Sequence, residues 1–539
     1  MTSPTTRLIR LLDRGFYPAE LPPPFATRRY SDVRGTFAPP NGYAGSTLFF
    51  DGATFRGHLR KFGVINPANY FILSRYISQR WTEISQTYDL SSCSGTRPKF
   101  PARSAPGRAI QSASLANKRK GQAHLASMYP VILSLDINRY YGSIYTHSIP
   151  WAVLGKEPAK AMFANNTLNT HWSASLDRFT RNCNQRQTVG LPIGPDTSRI
   201  ISEMILSRID NELTASGSGL ASPRIYHNID DYQFGCFDVQ ATENAQSRFV
   251  RTITKYELRF NDFKTSIDHG LDFHPCNFQR FFDALANTSG RNFVEHFFEI
   301  LYQLDGRYPQ VNVIGYALKR FAQLLARNPE KGLVREYLQR LIFAAPHQAR
   351  WIFPLLLGFY KGKPPNTEIR RLIHWGIEVC SRRNDVGSLL WYLYAALFLD
   401  VRLNGSQCGQ CIGIANGMVD LMLYHGRDRG IFTFNVNRLR SRYAASRFHS
   451  DAWLPLYEIG RRGWDATAAF NKIGGQADPN MLYAHLMVNN VEFYLTEPRY
   501  FSVEGFDGWN LTQGHFDGPP PPQGIFNLND WLGDGENYD

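Results

Sequence analysis

Val131-Ile-Leu-Ser-Leu-Asp-Ile-Asn-Arg-Tyr-Tyr-Gly-Ser-Ile-Tyr145 is the stretch from which the rest of this chain of 539 residues can be read. Val131, Leu133 and Leu135 alternate as one face of a β-strand, and the pattern predicts a strand that ends by presenting Asp136. A lone acid at a strand end is most often a turn or cap residue. Two segments downstream make a chemical role for Asp136 worth weighing against that reading.

The first is Gln187-Thr-Val-Gly-Leu-Pro-Ile-Gly-Pro-Asp-Thr-Ser198, a stiff, tightly turned loop built on Gly190, Pro192, Gly194 and Pro195. It runs into a helix with an apolar stripe of Ile201, Met204, Ile205 and Ile209, for which Asp196, Thr197 or Ser198 is the expected cap. The second is Arg224-Ile-Tyr-His-Asn-Ile-Asp-Asp-Tyr-Gln-Phe-Gly-Cys-Phe237, two β-prone arms around Asp230 and Asp231. Adjacent acids suit a hairpin turn without any further role. A carboxylate at one strand end beside others on a hairpin can also hold two Mg²⁺ ions, hard cations that prefer oxygen ligands. Two such ions about 4 Å apart activate an attacking oxygen and stabilise a leaving one in phosphoryl displacement.

Charge is distributed unevenly. The formal net charge is +13, yet residues 1–135 hold 18 Lys plus Arg against 6 Asp plus Glu, and the remainder is close to balance. Residues 90–135 contain Arg97, Lys99, Arg103, Arg108, Lys118, Arg119 and Lys120 and no acid. Such a cluster is a solvated surface unless it faces an anion. With 43% hydrophobic residues the chain can bury large cores, which excludes a fibrous or mainly disordered protein. The longest apolar run, residues 389–399, is too short for a bilayer, so no membrane partner is expected. Seven scattered cysteines and no secretory core at the N-terminus point to a reducing, cytoplasmic compartment.

In order along the chain, Asp136-Ile-Asn-Arg-Tyr-Tyr-Gly-Ser-Ile, Gly190-Leu-Pro-Ile-Gly-Pro-Asp-Thr-Ser198, Ile229-Asp-Asp231 and Phe260-Asn-Asp-Phe-Lys-Thr-Ser-Ile267 resemble the successive palm motifs of reverse transcriptases. The opening Leu11-Leu-Asp-Arg-Gly-Phe-Tyr-Pro-Ala-Glu-Leu-Pro-Pro-Pro-Phe25 is similar to the N-terminal edge of bacterial members. The long C-terminal extension resembles that of the abortive-infection and other phage-defence reverse transcriptases.

The resemblance implies an α+β right-hand polymerase: fingers over about 1–130, a palm with an antiparallel sheet over about 131–280, and an all-α, thumb-like or HEAT-like repeat domain over 281–500. It implies Asp136, Asp230, Asp231 and Lys264 as catalytic residues, with Asp136, Asp230, Asp231 and the Ile137 carbonyl holding two Mg²⁺ ions or Mn²⁺ in their place. Tyr141 falls at the aromatic position that stacks under the sugar and selects deoxynucleotides. Gln187, Gly190 and Pro192 would support the incoming dNTP, and Arg103 and Arg108 its triphosphate. Lys99, Lys118, Arg119 and Ser198 would meet nucleic acid, either a DNA product or an RNA template. Lys264 is placed to bind phosphate or donate a proton. The implied activity is an antiphage DNA polymerase or nucleotidyltransferase, some relatives of which start from a protein hydroxyl without a template and assemble as homo-oligomers. The family usually carries an aromatic two residues before the first acid of the pair; here that position is Asn228, and Tyr226 lies two residues further back.

Two alternatives stay open at this point: a nucleic-acid-binding scaffold that does not polymerise, and a retron or group II intron type enzyme copying a dedicated RNA. Beyond 280, helix-period segments fall near 292–304, 311–326, 331–343, 349–360, 368–380, 388–401 and 412–423. Cys408-Gly-Gln-Cys411 lacks two further ligands at zinc spacing, so no structural zinc is expected. From Phe501 onward come seven acids and no Lys or Arg, an acidic, Pro-containing tail over 501–539 in which Tyr538 is one conceivable priming hydroxyl.

Overall fold

The strand predicted to end on Asp136 runs Val131–Asp136 (β3) and occupies an inner position of a four-stranded antiparallel sheet in a computed structural model of the chain. The structure describes residues 2–53, 58–105, 107–111, 115–215, 220, 224–273, 278–308, 312–360 and 364–497. The acidic tail and Tyr538 lie outside the described residues.

Before β3 come helix α1 (Pro4–Arg14), a hairpin of β1 (Leu48–Ala53) and β2 (Leu59–Val64), and helices α2 (Pro67–Gln79), α3 (Trp81–Tyr88) and α4 (Leu115–Met128). After it come α5 (Tyr140–Ser143), α6 (Ser148–Leu154), α7 (Lys156–Ala164), α8 (Trp172–Asn182) and α9 (Asp196–Leu213). Strands β4 (Ile225–Asn228) and β5 (Asp231–Cys236), helix α10 (Val239–Thr254) and strand β6 (Ser266–His269) complete the mixed half. The sheet order is β4-β5-β3-β6, and Asp136 pairs with Asp231 in register. β3 is covered on both faces, not one. Val131, Leu133 and Leu135 join the main core, while Ile132 packs with Leu125 and Tyr129 under α4.

Helix α9 is buried along nearly its whole length, and no side chain caps it. The expected cap from Asp196, Thr197 or Ser198 is thus corrected: Pro195 occupies the cap position, and the Asp196 carboxylate is turned to Arg108 and the Ile110 N–H instead.

The second half is helical: α11 (Gly290–Arg307), α12 (Val313–Arg327), α13 (Lys331–Ala344), α14 (Ala349–Gly358), α15 (Thr367–Arg383), α16 (Val386–Phe398), α17 (Gly405–Gly413), α18 (Gly417–Asp428), α19 (Asn437–Tyr443), α20 (Trp453–Arg462) and α21 (Leu482–Val488). The segment expected as one helix over 412–423 is broken between α17 and α18. Ala415 takes a left-handed φ of 57°, and Asn416 caps α18 by accepting from the Met418 N–H. Cys408 and Cys411 are buried in α17, where burial pushes both thiols up to about 12. No helix among the described residues is long and apolar enough to cross a membrane.

The helical half shares one hydrophobic core with residues 1–280. Phe493 lies among Phe16, Tyr30 and Trp453, with ring centroids 5.2–5.4 Å away. Tyr17 donates its hydroxyl to the Phe493 carbonyl (2.7 Å), and Arg28 and Glu492 exchange backbone hydrogen bonds. Gly387 of α16 has room only for its own hydrogen against Gly52 of β1.

Candidate active site

Asp136, at the end of β3, is 4% exposed. Its two oxygens accept from the Lys264 ammonium (2.8 Å) and the Asn261 amide (2.7 Å). The segment carrying both donors is held by the backbone, because the Asn261 N–H donates to the Asp136 carbonyl (3.0 Å). Burial on its own would lower the Lys264 pKa, but the bond to Asp136 and the charges of Asp136, Asp231 and Asp230 raise it above the usual lysine value. One ammonium thus feels all three carboxylates. Asp231 is exposed and has Lys118 Nζ 3.7 Å from it, a second cation on the same group.

Asp230 is set by a two-residue turn. Asn228 pairs with Asp231, leaving Ile229 and Asp230 between the strands, and the Asp230 carbonyl accepts from the Ile137 N–H (3.3 Å). Ile229 has φ 56°, a left-handed conformation that a β-branched side chain rarely takes and that short hairpins usually give to glycine. Arg139, two residues beyond Ile137, also has positive φ (46°). Backbone strain therefore flanks the carboxylates on both strands.

The loop after Gln187 is strapped to the segment following Asp136. The Leu191 N–H donates to the Tyr141 carbonyl (2.7 Å) and the Gly190 N–H to the Ile144 carbonyl (2.8 Å). Gly190 has φ 93°, and a Cβ there would lie 3.3 Å from the Gly142 carbonyl, so the close approach needs glycine. Half-buried Tyr141 accepts at its hydroxyl from Ser202 (3.3 Å). Pro192 packs on Gly63 of β2, and the Gly63 N–H donates to the Ile193 carbonyl (3.0 Å), so the β1–β2 hairpin supports this loop. Ser198 is buried in the first turn of α9, away from solvent. Gln187 is exposed and accepts from Asn184 (2.9 Å).

The basic residues of 90–135 divide. Lys118 reaches the acidic turn. Arg119 donates to Gln279 Oε1 (2.8 Å), tying α4 to the segment after β6. Arg108 is committed to the protein itself: Nε donates to Asp196 Oδ1 (2.8 Å), Nη1 to the Tyr17 carbonyl (2.9 Å) and Nη2 to the Gly194 carbonyl (2.7 Å). Every guanidinium nitrogen has an acceptor, so Arg108 holds the loop in place where a triphosphate contact was expected. The Arg103 and Lys99 side chains are exposed, and their carbonyls accept from Arg10 and Gln111.

Asn228, standing where the family aromatic was expected, is 5% exposed. Tyr226 fills the space over Gly95 and Gly121, neither of which has room for a Cβ beneath its ring. Its role is packing between α4 and the 91–96 segment.

A buried polar group beneath the turn escaped the sequence reading. His227 is fully buried, with Nδ1 3.0 Å from Asp210 Oδ2 and Nε2 3.7 Å from Glu203 Oε1. Burial opposes its charge, yet Asp210 and then Glu203 outweigh that and push its pKa up to about 10. Asp210 also accepts from Tyr232 (2.9 Å) and from Ser91. Glu203 and Asp210 lie seven residues apart on α9 and so share a face, a spacing visible in the sequence only once β4 is known to lie against it.

Chemically, the oxygens of Asp136, Asp230 and Asp231 and the Ile137 carbonyl are of the type a hard divalent cation prefers, and Asp136 is bonded to the Lys264 ammonium. Among the described residues, no group of three His, Cys, Asp or Glu side chains is close enough to enclose a metal. No family model matches the chain, and no curated protein matches it.

Proposed function

We propose that this chain is a reverse-transcriptase-like DNA polymerase of the phage-defence type, adding deoxynucleotides to a 3′-end or a protein hydroxyl. On this reading the four-stranded sheet is the palm, the β1–β2 hairpin and α1–α4 belong to the fingers, and the helical half is the HEAT-like extension. The observation that carries it is the Lys264–Asp136 ion pair at the end of β3, with Asp231 in register across from Asp136 and Asp230 in the turn beside it.

Bound Mg²⁺ would supply activation of the attacking oxygen and charge stabilisation of the leaving one. Asp136, Asp230, Asp231 and the Ile137 carbonyl would hold it. Lys264, bonded to Asp136, which favours its charged form, would orient phosphate oxygens and donate a proton to the leaving group. Tyr141, buttressed by Ser202, lies on the segment strapped to Gly190 and would press against the sugar, favouring deoxyribose. Lys118 would exchange its contact with Asp231 for a backbone phosphate, adding salt-dependent affinity. The proposed partners are dNTPs, a DNA product, an RNA template where one is used, and further copies of the chain.

The test is incubation of the full chain with Mg²⁺ and each labelled dNTP, with and without RNA, with half of each product treated with protease. Incorporation that disappears in Asp230→Asn plus Asp231→Asn is the expected result, and a protease-dependent mobility change marks a protein primer. A folded chain that incorporates nothing under any condition refutes polymerase chemistry and leaves the scaffold.

A further inference from the structure

The strained turn that presents Asp230 is not held by its own strands alone. The Ile229 N–H donates to Thr96 Oγ1 (3.2 Å), and the same hydroxyl donates to Glu203 Oε2 (3.2 Å). Thr96 is 1% exposed and Glu203 2% exposed, so neither bond is exchanged with water at low cost. Glu203 Oε1 accepts from Ser94, whose hydroxyl oxygen takes the Thr96 N–H (3.1 Å). The 91–96 segment is itself laid along β4: the His227 N–H donates to the Cys93 carbonyl (3.1 Å) and the Gly95 N–H to the His227 carbonyl (2.9 Å).

Directionality follows from chemistry. The Ile229 N–H can only donate, so Thr96 Oγ1 must accept there and spend its proton elsewhere. An ionised carboxylate can only accept, and Glu203 is kept ionised because His227, Ser94 and Arg199 offset its burial. The hydroxyl is therefore locked in one orientation by the carboxylate below and presents a lone pair to the peptide above. That peptide is Asn228–Ile229, the entry to a left-handed residue whose other side is Asp230.

We infer that Glu203 and Thr96 form a latch that positions Asp230 for metal binding, with Thr96 a positioning residue that touches neither metal nor substrate. This rests on the polymerase reading of the same site. Without the latch the Ile229 peptide loses its buried acceptor, and the turn relaxes from its left-handed conformation toward an extended one. Asp230 then turns away from Asp136, across from which Asp231 stays in register. The 91–96 segment leads directly into Arg97 and Lys99, so the latch also fixes where the basic stretch leaves the sheet.

The experiment uses the full chain as wild type, Thr96→Val, Thr96→Ala and Thr96→Ser. Valine keeps the shape and removes the hydroxyl, alanine removes both hydroxyl and methyl, and serine keeps the hydroxyl. Mn²⁺ binding is followed by the electron paramagnetic resonance signal of the free ion, alongside dNTP incorporation and urea unfolding. The expected result is Mn²⁺ affinity and kcat each reduced about tenfold or more in the folded valine and alanine variants, with KM for dNTP within about twofold and serine near wild type. A role in stability alone would shift the unfolding midpoint and leave Mn²⁺ affinity of the folded protein unchanged, which overturns the latch. Wild-type Mn²⁺ binding and incorporation with an unaffected valine variant overturns the latch while leaving the polymerase reading intact. A wild type that neither binds Mn²⁺ nor incorporates dNTP overturns the polymerase reading, and the latch with it.

Discussion

Arg108→Ala separates two roles for the most buried cation of the basic stretch. If Arg108 gripped a triphosphate, its loss would weaken nucleotide binding and leave the fold alone. In the structure its guanidinium joins α1's exit at Tyr17, the loop carbonyl of Gly194 and the first turn of α9 through Asp196. Removing it leaves the Asp196 carboxylate, 4% exposed, with the Ile110 N–H at 3.3 Å as its remaining hydrogen-bond donor. Breaking a buried pair from one side costs about 3–5 kcal/mol. The Arg108 side chain is 22% exposed, so water can enter and the loss belongs at the lower end, about 3 kcal/mol. Asp196→Ala should cost a similar amount, and the double variant less than the sum by about 1–3 kcal/mol, since the two groups share the interaction. Arg108→Lys should recover little, because a single ammonium cannot span three acceptors. Urea unfolding followed by tryptophan fluorescence measures the cycle, and competition with a fluorescent dNTP measures binding on the folded variants. Unfolding of Arg108→Ala at the wild-type midpoint, together with a selective loss of dNTP affinity, would refute the assignment.

Two further outcomes follow from the geometry. His227 titrates near 10 when folded against about 6.5 when free, so the stability it contributes through Asp210 and Glu203 is complete below about pH 6.5 and is lost as pH rises toward about 10. Urea midpoints of wild type and His227→Gln, taken with Asp210, Glu203, Arg199, Tyr232 and Cys93 unchanged, should converge as pH rises through that window; parallel curves would contradict it. Gly190→Ala places a Cβ at φ 93° and 3.3 Å from the Gly142 carbonyl, and should cost about 1–3 kcal/mol in urea unfolding while raising KM for dNTP through the Leu191–Tyr141 strap.

Most of the candidate-site groups were legible because their signals are local. Period-two apolar residues place Asp136 at a strand end, adjacent acids between β-prone arms make a hairpin, and Gly190 with its prolines marks a tight turn. Helix-period segments beyond 280 correspond to α11 through α16 to within a few residues, since apolar spacing along one helix needs no knowledge of its neighbours. The break at Ala415 and Asn416 was not legible, because the apolar periodicity runs across it and only a side-chain cap ends one helix and starts the next.

By itself, then, the order of residues determined which carboxylates, lysine and glycine turn this protein brings to its site. What the tertiary structure alone decided is the division of labour among like residues. Arg108, Arg119 and Lys118 are equivalent in sequence, and they separate into a loop clamp, a helix tie and a partner of Asp231 because Asp196, Gln279 and Asp231 arrive from elements 88, 160 and 113 positions away. Likewise, no local pattern foretells that Thr96, His227 and Glu203 meet under Asp230. Electrostatic and hydrogen-bond partners are chosen by distance in space, and folding alone sets that distance.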